Sequence, residues 1–198
     1  MNNILRRRRA LMAQGKSTPV ETENFEKIGS PTIVDGWMTP SSTSWIQTPQ
    51  SFNPGTSPWV IQFEVKKTGS SGYQNMISSG GVLVQSGSNN AQHRLYLKSV
   101  NGSSYDISNG SVYVSVTNQV STIMQISYDG TTYRIKRSED GGASWSTKTV
   151  TSSLAIKAGK IVFGPKASNT NAFAGSFNLR NMEIWINGVS WWTPYVYV

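Results

Sequence analysis

Between residues 59 and 66 the chain alternates without a break. Trp59, Ile61, Phe63 and Val65 are apolar, and Val60, Gln62, Glu64 and Lys66 fall between them. A period of two puts the first set on one face of an extended segment, which predicts a half-buried β-strand. Short runs of the same kind follow: NMISS, GVLVQS, HRLYLKS, SVYVSVT, STIMQISY, TTYRIKRS, WSTKTV, KIVFG and FNLRNMEIWI, with turn residues between them. Asp129-Gly130 stands between two alternating runs, the strongest short hairpin signal, and Asn187-Gly188 marks a second hairpin between MEIWI and VSWW. Many short strands with frequent turns predict an all-β protein, a two-sheet antiparallel jelly-roll sandwich. A propeller is disfavoured, because no repeat of roughly 40 to 50 residues is present.

The first residues break this pattern. Residues 3 to 14 hold good helix formers and no Gly or Pro before Gly15, so a short N-terminal helical arm is expected. Ile4 and Leu11 lie seven apart, as do Leu5 and Met12, and Arg6, Arg7, Arg8 and Arg9 spread around the turn between them. Such a helix cannot bury its apolar side alone. Residues 17–31 are polar, aperiodic and carry two prolines, which reads as a linker leading into the domain. The expected organisation is a basic arm over 1–16, that linker over 17–31, and a sandwich over 32–198 that includes an aromatic C-terminal strand.

Charge adds one point. Of the formal +8, the four arginines and Lys16 supply +5, and thirteen basic against ten acidic residues leave +3 for the rest. The basic character belongs mostly to the arm. No apolar run approaches the roughly 18 to 20 residues that span a bilayer, and the N-terminus lacks the apolar core of a secretory signal, so neither a membrane partner nor a signal is expected.

Three stretches together resemble the concanavalin A-like, laminin-G-like jelly roll, in particular the versions found in bacteriophage and prophage structural proteins. PWVIQFEVKK resembles its early core strand, and STIMQISYDGTTYRIKRSEDGGASW its central hairpin. FAGSFNLRNMEIWINGVSWW resembles its closing strands, with Gly175, Leu179 and the run Ile184 to Gly188 at the corresponding places. The likeness covers about residues 32 to 192. It implies a virion structural protein, tail-, baseplate- or fibre-associated or a decoration, located in the virion. ILRRRRALM is similar to the start of several phage tail proteins and implies an assembly anchor.

Catalytic chemistry finds little support. A glycosidase needs two carboxyl groups across the scissile bond. The glucanases of this fold resemble one another through an E-x-D-x-E strand, and none occurs here. Glu64 stands alone in its strand, Asp106 and Asp129 sit at turns, and Glu183 has no acidic neighbour in sequence. His93 is the only histidine and there is no cysteine, which excludes an ordinary zinc site and offers no Ser-His-Asp arrangement. No catalytic residue, metal site or cofactor is assigned; calcium remains open through loop carboxylates, without a D-x-D-x-D-G run to hold it. The chain is expected not to be an enzyme.

Ser138, Asp140, Gly142 and Trp145 fit S-x-D-x-G-x-x-W, resembling the Asp-box of sialidases. One box in a short chain is read as a structural turn: Asp140 can accept backbone N–H groups, and Gly141 and Gly142 permit positive φ. Seven tryptophans make carbohydrate binding the alternative function, with host surface glycans as ligand. Trp37 and Trp45, in a Thr/Ser/Pro-rich stretch, are the candidate sugar contacts. Trp59 and Trp185 are expected to be buried. The aromatic end VSWWTPYVYV must be covered, either by closing the sandwich or by another subunit. Expected partners are other virion proteins, further copies of this chain and host glycans, with nucleic acid reached only through the arginine arm.

Overall fold

The computed structural model describes residues 21–69, 74–78, 81–86, 93–98, 104–106, 117, 119–151, 155–164 and 173–197. The helical arm over 1–16, with Ile4, Leu5, Arg6 to Arg9, Leu11 and Met12, lies outside the described residues, as does most of the run SVYVSVT. Among the described residues there is no helix, and so none long and apolar enough to cross a membrane.

The strands are β1 (Glu21–Glu23), β2 (Glu26–Ile28), β3 (Thr32–Val34), β4 (Trp37–Thr39), β5 (Trp45–Gln47), β6 (Trp59–Lys67), β7 (Gln74–Ser78), β8 (Val82–Ser86) and β9 (His93–Lys98). They continue as β10 (Ser104–Asp106), β11 (Ser121–Tyr128), β12 (Thr132–Ser138), β13 (Ser146–Thr151), β14 (Val162–Phe163), β15 (Gly175–Ile186), β16 (Val189–Trp192) and β17 (Tyr195–Tyr197). One sheet has the order β10-β9-β8-β7-β14-β5-β2; the other runs β13-β12-β11-β6-β15-β4-β3, with β16 also paired to β15. Every pairing given by these registers is antiparallel.

The alternation at β6 is realised residue by residue. Trp59, Ile61, Phe63 and Val65 are buried between the sheets, while Val60, Gln62 and Glu64 are half-buried on the outer face. β11 repeats this with Met124, Ile126 and Tyr128 inward. The layers meet where Phe163 of β14 packs edge-on to Phe177 of β15, ring centroids 6.0 Å apart, and stacks on Trp192 at 5.6 Å. Both hairpins form where the sequence places them. Gly130 has φ of 104°, and at the second turn Asn187 and Gly188 have φ of 52° and 74°, the left-handed geometry that Asn-Gly tolerates.

From Glu21 onward the stretch read as a linker holds two short strands, β1 and β2. Three-residue strands are too short to show a period, so composition hid them. β1 pairs with β17, Glu21 opposite Tyr197, and β2 forms the edge of its sheet beside β5. Lys160 Nζ meets the Glu26 carboxylate at 2.6 Å, which fixes that edge. Part of the aromatic chain end is covered within the chain, while Val189 and Val196 stay exposed: Tyr195 packs edge-on to Phe25, and the Trp192 indole N–H donates to the Asn24 carbonyl at 2.7 Å. Asp106, read as a turn residue, ends β10 opposite Tyr96.

Candidate functional site: a groove on the outer face of the larger sheet

Antiparallel registers place directly opposed residues on the same face, so the outer face can be written as rows running across the strands. One row is Ser138–Ile123–Glu64–Asn178–Trp37–Val34, and the next is Thr147–Lys136–Gln125–Gln62–Glu183. A third is Thr149–Arg134–Ser127–Val60–Trp185. Successive rows are two residues apart along a strand, about 7 Å.

A groove of about 600 Å³ lies over the first two rows, lined by Gln62, Glu64, Ser121, Gln125, Trp145 and Asn181 among others. Glu64 is its centre. Ser121 Oγ and Asn181 Nδ2 both donate to its carboxylate, and Asn178 Nδ2 donates to Oε2 at 2.8 Å. Asn178 and Asn181 reach the same carboxylate because the β6–β15 register shifts between Asn178 and Glu183. The extra residues bulge, which re-aims the side chains around it. Beside this cluster Gln125 Nε2 donates to Gln62 Oε1 at 2.8 Å, leaving an amide edge on each to address a ligand.

The SEDGGASW turn forms the wall. Ser138 Oγ donates to Asp140 Oδ1 at 2.6 Å and accepts the Gly142 N–H at 2.8 Å; the Ser144 N–H donates to Asp140 Oδ1 at 2.9 Å, and Ser144 Oγ also donates to Asp140. The hydroxyls of Ser138 and Ser144, then the Ser144 N–H, hold the Asp140 carboxyl far below the usual Asp range. Gly141 and Gly142 take φ of 71° and 98°, which side-chain-bearing residues rarely adopt. The Trp145 indole N–H donates to the Gly142 carbonyl at 3.1 Å; the residue stays 36% exposed, with Lys136 Nζ 5.9 Å from the ring centre. Glu139 closes the rim. Burial opposes its charge, but the Thr117 N–H and hydroxyl and the Arg137 guanidinium together hold its pKa below the ordinary value.

Of the tryptophans singled out in the sequence, Trp37 lies in the Glu64 row, half-buried and directly opposite Asn178. Trp45 lies in the other sheet and is 8% exposed. Trp59 is buried as expected, but Trp185 is half-buried on the outer face, opposite Val60. The β15 bulge explains this: after it, Ile184 points inward, and Glu183 and Trp185 share the other face. Glu183, without an acidic neighbour in sequence, stands diagonally across from Glu64, and it is only 2% exposed. Among the described residues no three His, Asp or Glu are grouped to hold a metal ion.

No protein-family model and no curated protein matches the chain. Solved structures do. The enzymatically active domain of tailspike protein 2 from Bacteriophage CBA120 superposes with a TM-score of 0.58 at 11% identity, over 87% of this chain and 30% of that one. The exoplasmic/lumenal domain of VIP36, in a Ca2+/Man2-bound form, gives 0.54 at 12% identity, over 82% of this chain and 80% of that one. Arcelin-5, a lectin-like defense protein from Phaseolus vulgaris, gives 0.51 at 10%, over 81% and 98%. The fold is the concanavalin A-like jelly roll. This jelly roll thus spans under a third of the tailspike domain and nearly the whole of arcelin-5. The resemblance carried by PWVIQFEVKK and the closing strands is borne out at the level of fold.

Proposed function

We propose that this chain is a non-enzymatic component of a bacteriophage virion whose jelly roll binds glycan in the groove centred on Glu64. The groove carries the reading. Sugar hydroxyls both donate and accept, so a fixed carboxylate beside the Gln62–Gln125 amides addresses them from one side. The apolar face of a pyranose matches the half-exposed Trp145 ring.

Binding without cleavage is supported by how the carboxylates are engaged. Hydrolysis needs two carboxyl groups free to act across one bond. Both oxygens of Glu64 are taken by neighbouring donors, Glu139 is held by Thr117 and Arg137, and Glu183 is buried. A place in the virion is supported by the likeness to a tailspike domain and by the ILRRRRALM arm. In this reading residues 1–16 anchor the domain in the particle, and partners are other virion proteins and further copies of the chain.

The test is a glycan array probed with the full chain. Retention of bacterial surface glycans, lost in Trp145→Ala, is expected; no retention of any glycan at high protein concentration overturns the binding role. The non-enzymatic part is tested separately with fluorogenic glycosides. Turnover by the wild-type chain that vanishes in Glu64→Gln would make it an enzyme.

A further inference from the structure

The third row of the outer face, Arg134–Ser127–Val60–Trp185, has no part in the groove described above. It floors a separate cleft of about 240 Å³, whose lining includes Pro58, Ser127, Asp129, Arg134 and Trp185. The two hollows share strands β6 and β11 and are adjacent along them: Gln62 and Val60 are two residues apart, as are Gln125 and Ser127.

We infer that this cleft is a second sugar subsite, and that the ligand is a linear, neutral glycan longer than a disaccharide, lying obliquely across the sheet from Trp145 to Trp185. The inference rests on the glycan-binding reading above and goes further by fixing the length and charge of the ligand. Three features carry it.

The first is spacing. Trp145 sits by Lys136 on β12, and Trp185 is on β15, three strands away and one row along. Strand spacing and rise make that about 16 Å, a span that a disaccharide does not bridge and a chain of three or four pyranoses does. The second is chemistry. Trp185 is half-buried on the outer face and supplies a stacking platform, and beside it Arg134 Nη1 and Asp129 Oδ2 are paired at 2.6 Å. A paired guanidinium and carboxylate present donors and an acceptor side by side, the complement of two neighbouring hydroxyls.

The third is charge. Asp129 already neutralises Arg134, and the Thr131 and Thr132 N–H groups hold that carboxylate ionised. At the other end Arg137 is paired with Glu139. A sugar acid would have to displace one of these carboxylates from its guanidinium, and beside Lys136 Nζ at the Trp145 ring it would meet the Glu64 and Glu139 carboxylates that line the groove, whereas a neutral chain displaces nothing.

The experiment uses the full chain with neutral bacterial surface polysaccharides and with their two-sugar and six-sugar fragments. The six-sugar fragment is expected to bind about tenfold tighter than the two-sugar one, the worth of one added ring contact. Trp185→Ala should reduce the six-sugar affinity to the two-sugar level while leaving two-sugar binding unchanged. Arg134→Ala, at a partly exposed site, should do the same and serves if the tryptophan variant does not fold. Equal wild-type affinity for both lengths, or a length dependence that survives both variants, overturns the second subsite and leaves the Glu64 groove standing. Preferential binding of acidic fragments overturns the neutral ligand. Absence of binding to every glycan overturns the groove itself, and this inference with it.

Discussion

Asn181 and Glu64 lie 117 residues apart in the chain and meet on the outer face, the Asn181 amide donating to the Glu64 carboxylate beside that of Asn178. The β15 bulge makes this contact, since without the extra residues only Asn178 would stand opposite Glu64. Glu64→Gln puts an amide donor where Asn178, Asn181 and Ser121 all donate. Glycan affinity is therefore expected to fall at least tenfold, and Tm to fall by a few degrees as the donors around Glu64 lose their acceptor; isothermal titration and thermal denaturation check the two halves.

Asp140→Ala removes the acceptor that ties Ser138 to Ser144, so the turn loosens and Tm should fall by a few degrees. Because this turn carries Trp145 into the groove, glycan affinity should fall with it. From sequence alone the turn was expected to be structural with no part in binding. Unchanged affinity in a folded variant would restore that narrower role.

Acid should destabilise the domain through Asp129 and Asp140. The N–H groups of Thr131 and Thr132, with Arg134, lower the first pKa, and Ser138 and Ser144 lower the second. A carboxyl whose folded pKa lies below its unfolded value contributes stability above the unfolded pKa and loses it as pH falls toward the folded one. Stability is thus expected to decline below about pH 4, the ordinary Asp value, and Asp140→Asn should flatten that decline. An Asp140→Asn profile parallel to wild type in denaturant melts between pH 5 and 2 would count against it.

Phe177 is fully buried and contacts Phe63 of the neighbouring strand β6, Phe173, and Phe163 of the opposite sheet. Phe177→Ala is expected to cost about 3 to 5 kcal/mol, as large cavities do, measured by urea unfolding.

Deleting residues 2 to 14 should abolish incorporation into the particle while leaving a folded domain, since the described sandwich begins at Glu21. Normal incorporation of the truncated chain would remove the anchor.

Wherever a strand keeps strict alternation, sequence and structure agree: β6, β11 and both hairpin turns are readable from period and turn chemistry. The groove is not. Glu64 is isolated in its own strand, and its partners come from β11 and β15, 57 to 117 residues away. Register creates that cluster, and register cannot be read from one strand at a time. Trp185 escaped for a related reason: the bulge breaks the period in FNLRNMEIWI, so alternation before it does not tell which face follows. Trp37, singled out by composition, stands opposite Asn178 in the Glu64 row but is not among the residues that line the groove.

The ribbon of β1 and β17 has a mechanical consequence. β1 runs on into β2 at the edge of one sheet, and β17 follows β16, which is paired to the other. Asn24 fastens the two between them, its N–H donating to the Pro194 carbonyl at 2.7 Å and its side chain to that of Thr193 at 3.1 Å. A load arriving through the chain before Glu21 is therefore shared by both layers of the sandwich rather than peeling one edge strand away.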